Sequence, residues 1–200
     1  MTRYYSLPLF LLLLFAVSLS GCLNLRLHKT GSDYSYNGAF NKYKTFSFIS
    51  DDSFQDSVTK ENAKVLKKYI RQRLELQGYE YSERKPDLLV SFFLYYNDLN
   101  MKGYDQEQLE VWLVKNNEPL PEDSEHEKYR PVKLYMSEGT LLVTLLDQRK
   151  HNAVWQGYAS GVLANKDQES TAYLNRAVRS IFDQYRVFRK GYLRSNDSNN

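Results

Sequence analysis

The stretch that most restricts the fold is Leu88 to Tyr96, LLVSFFLYY, an apolar run interrupted only by Ser91. A run of this length, entered through Pro86-Asp87, reads as a central strand. Successive side chains of a strand point to opposite faces. Leu88, Val90, Phe92 and Leu94 therefore share one face, and Leu89, Ser91, Phe93 and Tyr95 share the other. The first face needs a cover, and two helical stripes supply it. Val58 to Gln77 carries Val58, Asn62, Val65, Leu66, Tyr69, Ile70 and Leu74 at helical spacing, and Gly78 stops it. Gln168 to Tyr185 carries Leu174, Ala177, Val178, Ile181, Phe182 and Tyr185 in the same way.

Shorter alternating segments complete the sheet. Tyr43 to Ile49 puts Phe46 and Phe48 on one face, and Tyr79 to Ser82 reads as a short strand. Thr140 to Leu146 and Ala153 to Leu163 form a hairpin about an Asp147–Asn152 turn, with Gly157 and Gly161 marking bulges or close backbone approaches. Leu109, Val111 and Leu113 alternate with Glu110, Trp112 and Val114 and predict an extra strand, while Val132, Leu134 and Met136 begin another. The 17 tyrosines suit half-buried strands, where the ring packs and the hydroxyl meets water. The expected architecture is an α+β two-layer sandwich: a mainly antiparallel β-sheet with two long helices on one face, in the order β-α-β-β-(β)-β-β-α. The face bearing Phe93 and Tyr95 is left for the middle of the chain, a partner or water to cover, and these two residues are the candidate binding face.

Cys22 is the only cysteine, so it cannot form an internal disulfide, and the N-terminus gives it another use. Arg3 lies in a short positive region, Leu7 to Val17 is apolar, and Ser18, Ser20 and Gly21 lead to Cys22. These are the zones of a secretory signal, and the apolar run falls short of the ~20 residues of a membrane-spanning helix. Leu19-Ser20-Gly21-Cys22 resembles the bacterial lipobox at every motif position. That resemblance implies cleavage between Gly21 and Cys22, diacylglycerol on the Cys22 sulfur and acylation of the new amino terminus, because stable anchoring takes more than one acyl chain. Leu23 stands where an aspartate would favour inner-membrane retention, which points to the outer membrane facing the periplasm. The expected division is a signal peptide over 1–21, a lipidated tether over 22–39, a domain over 40–190 and a disordered tail over 191–200. Within the domain, residues 97–131 read as a variable insertion.

Pro86-Asp87-Leu88-Leu89-Val90, Glu138-Gly139-Thr140-Leu141 running to Asp147, and Val154-Trp155-Gln156-Gly157 together resemble the DUF4136 family of bacterial lipoproteins. The family shows a Y-x-x-F start, a helix ending in Gly-Tyr, a PDLLV strand, a GTL…D strand and a W-x-G strand. Tyr43 to Phe46, Gly78-Tyr79 and the three motifs above follow that order from about Phe40 to Tyr185. The resemblance implies an envelope lipoprotein and brings no catalytic residues with it. Asp87 reads as a turn residue and Asp147 as a strand-end residue, both bonding nearby amides, and Trp155 as a core anchor.

Chemistry is sparse. His28, His126 and His151 have no metal-ligand spacing, and neither a nucleophile elbow nor a glycine-rich phosphate loop occurs. An acidic, proline-broken loop holds Glu118, Pro119, Pro121, Glu122, Asp123, Glu125, His126 and Glu127, without the calcium-loop pattern, and reads as a solvated charge run. Lys60, Lys64, Lys67, Lys68 and Arg71 read as a solvated helix face, and Arg176, Arg179, Arg186, Arg189, Lys190 and Arg194 as a basic C-terminal end. Of 27 basic and 24 acidic residues only Arg3 lies in the signal, so the mature chain carries a formal +2, too balanced to imply nucleic acid. The expected role is a non-enzymatic binding or assembly module with no cofactor and no metal. It would be held to the membrane through lipid on Cys22 and meet an envelope protein or lipid partner. The alternatives are an envelope glycan or lipid hydrolase using the acidic-loop carboxylates, and a structural envelope protein.

Overall fold

In the computed structural model, residues 29–49, 58–115, 130–161 and 171–190 are described. Gly21, Cys22, His28, the acidic loop, His126, Leu163, Arg194 and the tail lie outside the described residues. Among the described residues the elements follow in the order β1 (Lys29–Tyr34), β2 (Thr45–Phe48), α1 (Lys60–Leu76), β3 (Glu80–Tyr81), β4 (Leu88–Tyr95), β5 (Leu99–Asp105), α2 (Leu109–Lys115), β6 (Arg130–Met136), β7 (Thr140–Asp147), β8 (Asn152–Ser160) and α3 (Thr171–Phe182). The main sheet runs β1-β8-β7-β4-β2-β3, antiparallel from β1 to β4 and parallel from β4 to β3. The α+β architecture expected from the sequence is the one found.

The apolar face of β4 does what its alternation demands: Leu88, Val90, Phe92 and Leu94 are all buried. Above them lie α1, through Leu66, Ile70 and Leu74, and α3, through Leu174, Ala177, Val178, Ile181 and Phe182. Thr59 caps α1, its hydroxyl accepting from the Asn62 N–H at 3.3 Å. Gly78 ends it at φ 87, a left-handed conformation in which glycine has no Cβ to clash. Beyond α3 the chain stays packed: Tyr185 is fully buried, and the Gln77 amide donates to its carbonyl.

The middle of the chain departs from expectation. Within the stretch read as a variable insertion lies β5, a strand that spacing did not mark, and together with β6 it continues the β4–β7 ladder. Leu88 faces Asp147, Tyr95 faces Thr140, Leu99 faces Met136 and Asp105 faces Arg130, so the offset never changes. A bend at 96–98 and 137–139 folds this arm back over the face opposite the helices. There Met136, Leu142 and Tyr158 form a second small core with Tyr95, Leu99, Met101 and Leu134. Gly139 turns at φ 72, Asp98 accepts from the Glu138 N–H at 3.0 Å, and the Thr140 hydroxyl donates to the Ser137 carbonyl at 2.6 Å. The Gly-Thr of the GTL motif therefore builds the hinge of the arm.

Two further expectations are corrected. Residues 109–114 form helix α2 rather than a strand. Leu109 and Trp112 share one helical face and are buried, whereas a strand would have buried Val111, which is exposed. The tether ends earlier than 39, because Lys29–Tyr34 pairs with β8 as an edge strand and Tyr34, Tyr36 and Phe40 join the core. Its sequence KTGSDY lacks the β-branched and aromatic density that signals a strand, and pairing with β8 overrides that weak propensity.

The W-x-G motif has a packing cause. At Leu145/Leu146 the ladder slips by one residue, and the extra residue lets both Val154 and Trp155 enter the core. The indole lies along its own strand over Gly157, where a Cβ would overlap the ring and press on Ile181. Gly157→Ala is expected to destabilise the domain by about 1–3 kcal/mol, the usual range for overpacking, read as a lower urea midpoint at unchanged m-value.

Candidate binding cleft

The β1 edge of the sheet is finished by a side chain rather than by another strand. The Tyr34 N–H donates to Gln106 Oε1 at 3.0 Å, and Gln106 Nε2 donates to the Tyr34 carbonyl at 2.8 Å. The Gln106 amide thus satisfies both outward backbone groups of Tyr34, as a neighbouring peptide would. Just after it α2 sets Trp112 against Tyr34 and Tyr36, with ring centroids 5.7 Å and 5.3 Å apart. Lys29 Nζ reaches the Tyr135 carbonyl at 3.4 Å at the other end of the strand. The arm is therefore fastened to β1 at both ends.

At the Gln106 end of β1 lies an open cleft of about 310 Å³, lined by residues that include Asp33, Ser35, Tyr104, Ala153 and Gln156. That is the lower end of the range for small-ligand sites. Its floor belongs to a polar row that the register places across four strands: Ser91 of β4 opposite Thr144 of β7, Gln156 of β8 and Asp33 of β1. The next row toward the bend is apolar, with Phe93, Leu142 and Tyr158, and ends at Gly31. A Cβ at Gly31 would overlap the Tyr158 phenol that lies across it, so a side chain there would displace that ring. Asp33 is half-buried, and this burial pushes its carboxyl above the ordinary range despite the opposing Tyr34 and Tyr104 amides.

The motif carboxylates lie at the same end of the sheet but serve the fold. Asp87 is more than a turn residue. Its Oδ2 accepts from the Lys44 N–H at 2.9 Å, the Thr45 N–H at 3.2 Å and the Thr45 hydroxyl at 3.1 Å, and Arg149 reaches Oδ1 at 3.1 Å. It thereby fixes where β2 starts beside β4. Asp147 bonds nearby amides as expected, accepting from Arg149 and Lys150 at 2.8 Å and 3.0 Å, and its other oxygen accepts from the Tyr43 hydroxyl at 2.8 Å. The Tyr43 oxygen in turn accepts from the Ala39 N–H at 3.0 Å. Tyr79 and Tyr185 pair their hydroxyls at 3.0 Å, and burial pushes Tyr79 up to about 12 and Tyr185 well above its usual value.

The other residues singled out in the sequence fall as follows. Phe93 and Tyr95 sit on the face opposite the helices, ring centroids 6.3 Å apart, but both are half-buried and Tyr95 packs under the arm. His151 is exposed in the β7–β8 turn at φ 54. Arg71 stacks over Tyr81 at 4.4 Å and pairs with Glu75 at 2.7 Å. Arg186 pairs with Glu110 and Arg189 with Glu80, at 3.6 Å and 2.7 Å. Among the described residues no three His, Cys, Asp or Glu side chains converge to hold a metal. Asp33, Tyr104 and Gln106 were not singled out, and Gln156 only as a motif member, because residues far apart in the chain meet only once the arm folds back.

A mixed six-stranded sheet under two helices, with an arm folded over its free face and a cleft beside that arm, defines the class: a small two-layer α+β domain. The chain belongs to the DUF4136 family, a domain of unknown function, whose family model matches residues 30–185. Among solved structures, a DUF4136 family protein from Bacteroides thetaiotaomicron VPI-5482 shares the fold at TM-score 0.50 and 15% identity, over 82% of this chain and 98% of that one. A PDZ domain protein from Parabacteroides distasonis ATCC 8503 aligns at 20% identity and TM-score 0.45, over 82% of this chain and 36% of that one. The dodecamer of a PelC point variant from Paraburkholderia phytofirmans aligns at 9% identity and TM-score 0.42, over 81% of this chain and 98% of that one. No curated protein matches.

Burial raises the carboxyls of Asp87 and Asp147, but their hydrogen bonds outweigh it and hold both below the ordinary value. A carboxyl lowered in the folded state stabilises above its unfolded pKa, and that stability is lost as pH falls through the folded value. Urea midpoints are therefore expected to drop below about pH 4. Asp147→Asn should start lower at pH 7 and show a shallower acid fall. Asp33, shifted upward, works in the opposite sense, its contribution being present in acid and lost as pH rises through its folded value.

Proposed function

We propose that this chain is an envelope lipoprotein, held by acyl chains on Cys22, that works as a binding or assembly module rather than as an enzyme. The observation that carries this reading is the direction of β1. The chain enters the sheet at Lys29 and the cleft opens at Asp33 to Ser35, about 17 Å further along at strand rise. Leu23 to His28 span at most about 20 Å. Lipid on Cys22 would thus hold the Lys29 end within about 20 Å of the bilayer, with the cleft at the other end of β1. Leu23 after Cys22 supports the outer membrane, facing the periplasm. The partner is an envelope protein or lipid; the near-neutral mature charge argues against nucleic acid. Among the described residues no helix is long and apolar enough to cross a membrane.

Mass spectrometry of the N-terminal peptide from membranes is expected to find a chain beginning at acylated Cys22, and Cys22→Ser is expected to remain unprocessed. A full-length chain with a free thiol in the cytosol would overturn the anchoring. Cross-linking in intact envelopes is expected to recover a stoichiometric partner, and its absence would count against the binding role.

A further inference from the structure

Asp33 differs from the other carboxylates that the fold encloses. Asp87 has Arg149, Glu110 has Arg186, and Asp147 has the Tyr43 hydroxyl besides two amides. Among the described residues, Asp33 takes part in no ion pair. The amides that lie against it are those of Tyr34 and Tyr104, and the Tyr34 N–H is shared with Gln106. A half-buried carboxylate answered only by dipoles loses hydration without regaining a full charge partner.

The surroundings keep that partner's place open. Gly103 brings the β5 backbone close beside the carboxylate, a Cβ there lying 3.7 Å from Asp33 Oδ2, and the side of Asp33 that is left open faces the cleft. Tyr104 is 46% exposed and lines the same cleft, and Gln156 lies directly opposite Asp33 in the ladder. A carboxylate beside an exposed aromatic ring and an amide, in a recess the size of a small ligand, suits a positively charged group. The carboxylate takes charge-assisted hydrogen bonds and the ring face attracts the cation.

We propose that the cleft beside β1 binds an organic cation, an ammonium or guanidinium group, with Asp33 as its anchor and Tyr104 as its aromatic wall. The proposal rests on the reading of the chain as a binding module and names the chemistry of what that module holds. The same group can come from a free small amine or from a lysine or arginine side chain of a partner protein.

Full-length protein in neutral detergent, titrated with butylammonium, propylguanidinium, n-butanol and the tripeptide Gly-Arg-Gly, separates these outcomes when followed by amide NMR. The cations are expected to shift the amides of Asp33, Tyr104 and Gln106, and n-butanol to leave them in place. Asp33→Asn keeps an acceptor for the Tyr104 amide, so it should fold with a similar melting temperature and lose about tenfold or more in cation affinity. Tyr104→Leu should weaken binding while keeping Asp33, and it serves as the second variant should Asp33→Asn fail to fold. Tighter binding of the tripeptide than of propylguanidinium assigns the group to a partner's side chain; the reverse assigns it to a free amine. Equal shifts with n-butanol, or undiminished affinity in a folded Asp33→Asn, would overturn the proposal. Either result leaves lipidation of Cys22 untouched, because cleft binding is read without reference to the anchor.

Discussion

The antiparallel ladder from Leu88–Asp105 to Arg130–Asp147 is the constraint on which the rest of the domain depends. Its first half is buried under α1 and α3, and its second half bends back to cover the opposite face. One pairing therefore makes the centre of the main sheet and the lid on its free side. A sheet face rich in Phe93, Leu142 and Tyr158 would otherwise be an exposed apolar surface, the kind that favours association. The bend depends on few groups: Gly139, the Asp98 carboxylate, and the Thr140 hydroxyl bonded to the Ser137 carbonyl.

The family motifs find their physical cause in this frame. Tyr43 and Asp147 tie the approach to β2 to the end of β7, and Asp87 fixes the start of β2 against β4. Gly78 reverses the chain after α1, Gly139 and Thr140 form the hinge of the arm, and Gly157 makes room for the Trp155 indole. Every one of these residues is engaged in packing or backbone bonding. The signature is thus one of fold, and in the cleft the W-x-G strand is met by residues outside the signature, on the β1 edge and the arm. Members sharing the motifs can present different clefts on one scaffold, since function resides in the site rather than the fold.

The arm and the β1 edge are tied by one glutamine amide, one lysine, the amides around Asp33, the packing of Trp112 on Tyr34 and Tyr36, and a small apolar cluster about Met136, Leu142 and Tyr158. The main core, by contrast, holds Trp155, Tyr185, Phe182 and the β4 face. Fewer buried apolar groups mean a lower local stability, which is where binding elements commonly lie.

The sequence by itself determined the elements whose burial is local and periodic. The β4 run, the stripes of α1 and α3 and the β7–β8 hairpin were legible, because one face of each must leave water and its spacing shows which. Tertiary structure alone decided three things. KTGSDY becomes a strand only because β8 offers it a partner; Leu109–Lys115 becomes helical because Trp112 has a seat against Tyr34 and Tyr36; and β5, too polar to stand out, is held by the register it inherits from β4. The cleft belongs to this second group. Asp33, Tyr104, Gln106 and Gln156 come together through one bend between strands, and spacing along a chain carries no trace of where a ladder will fold.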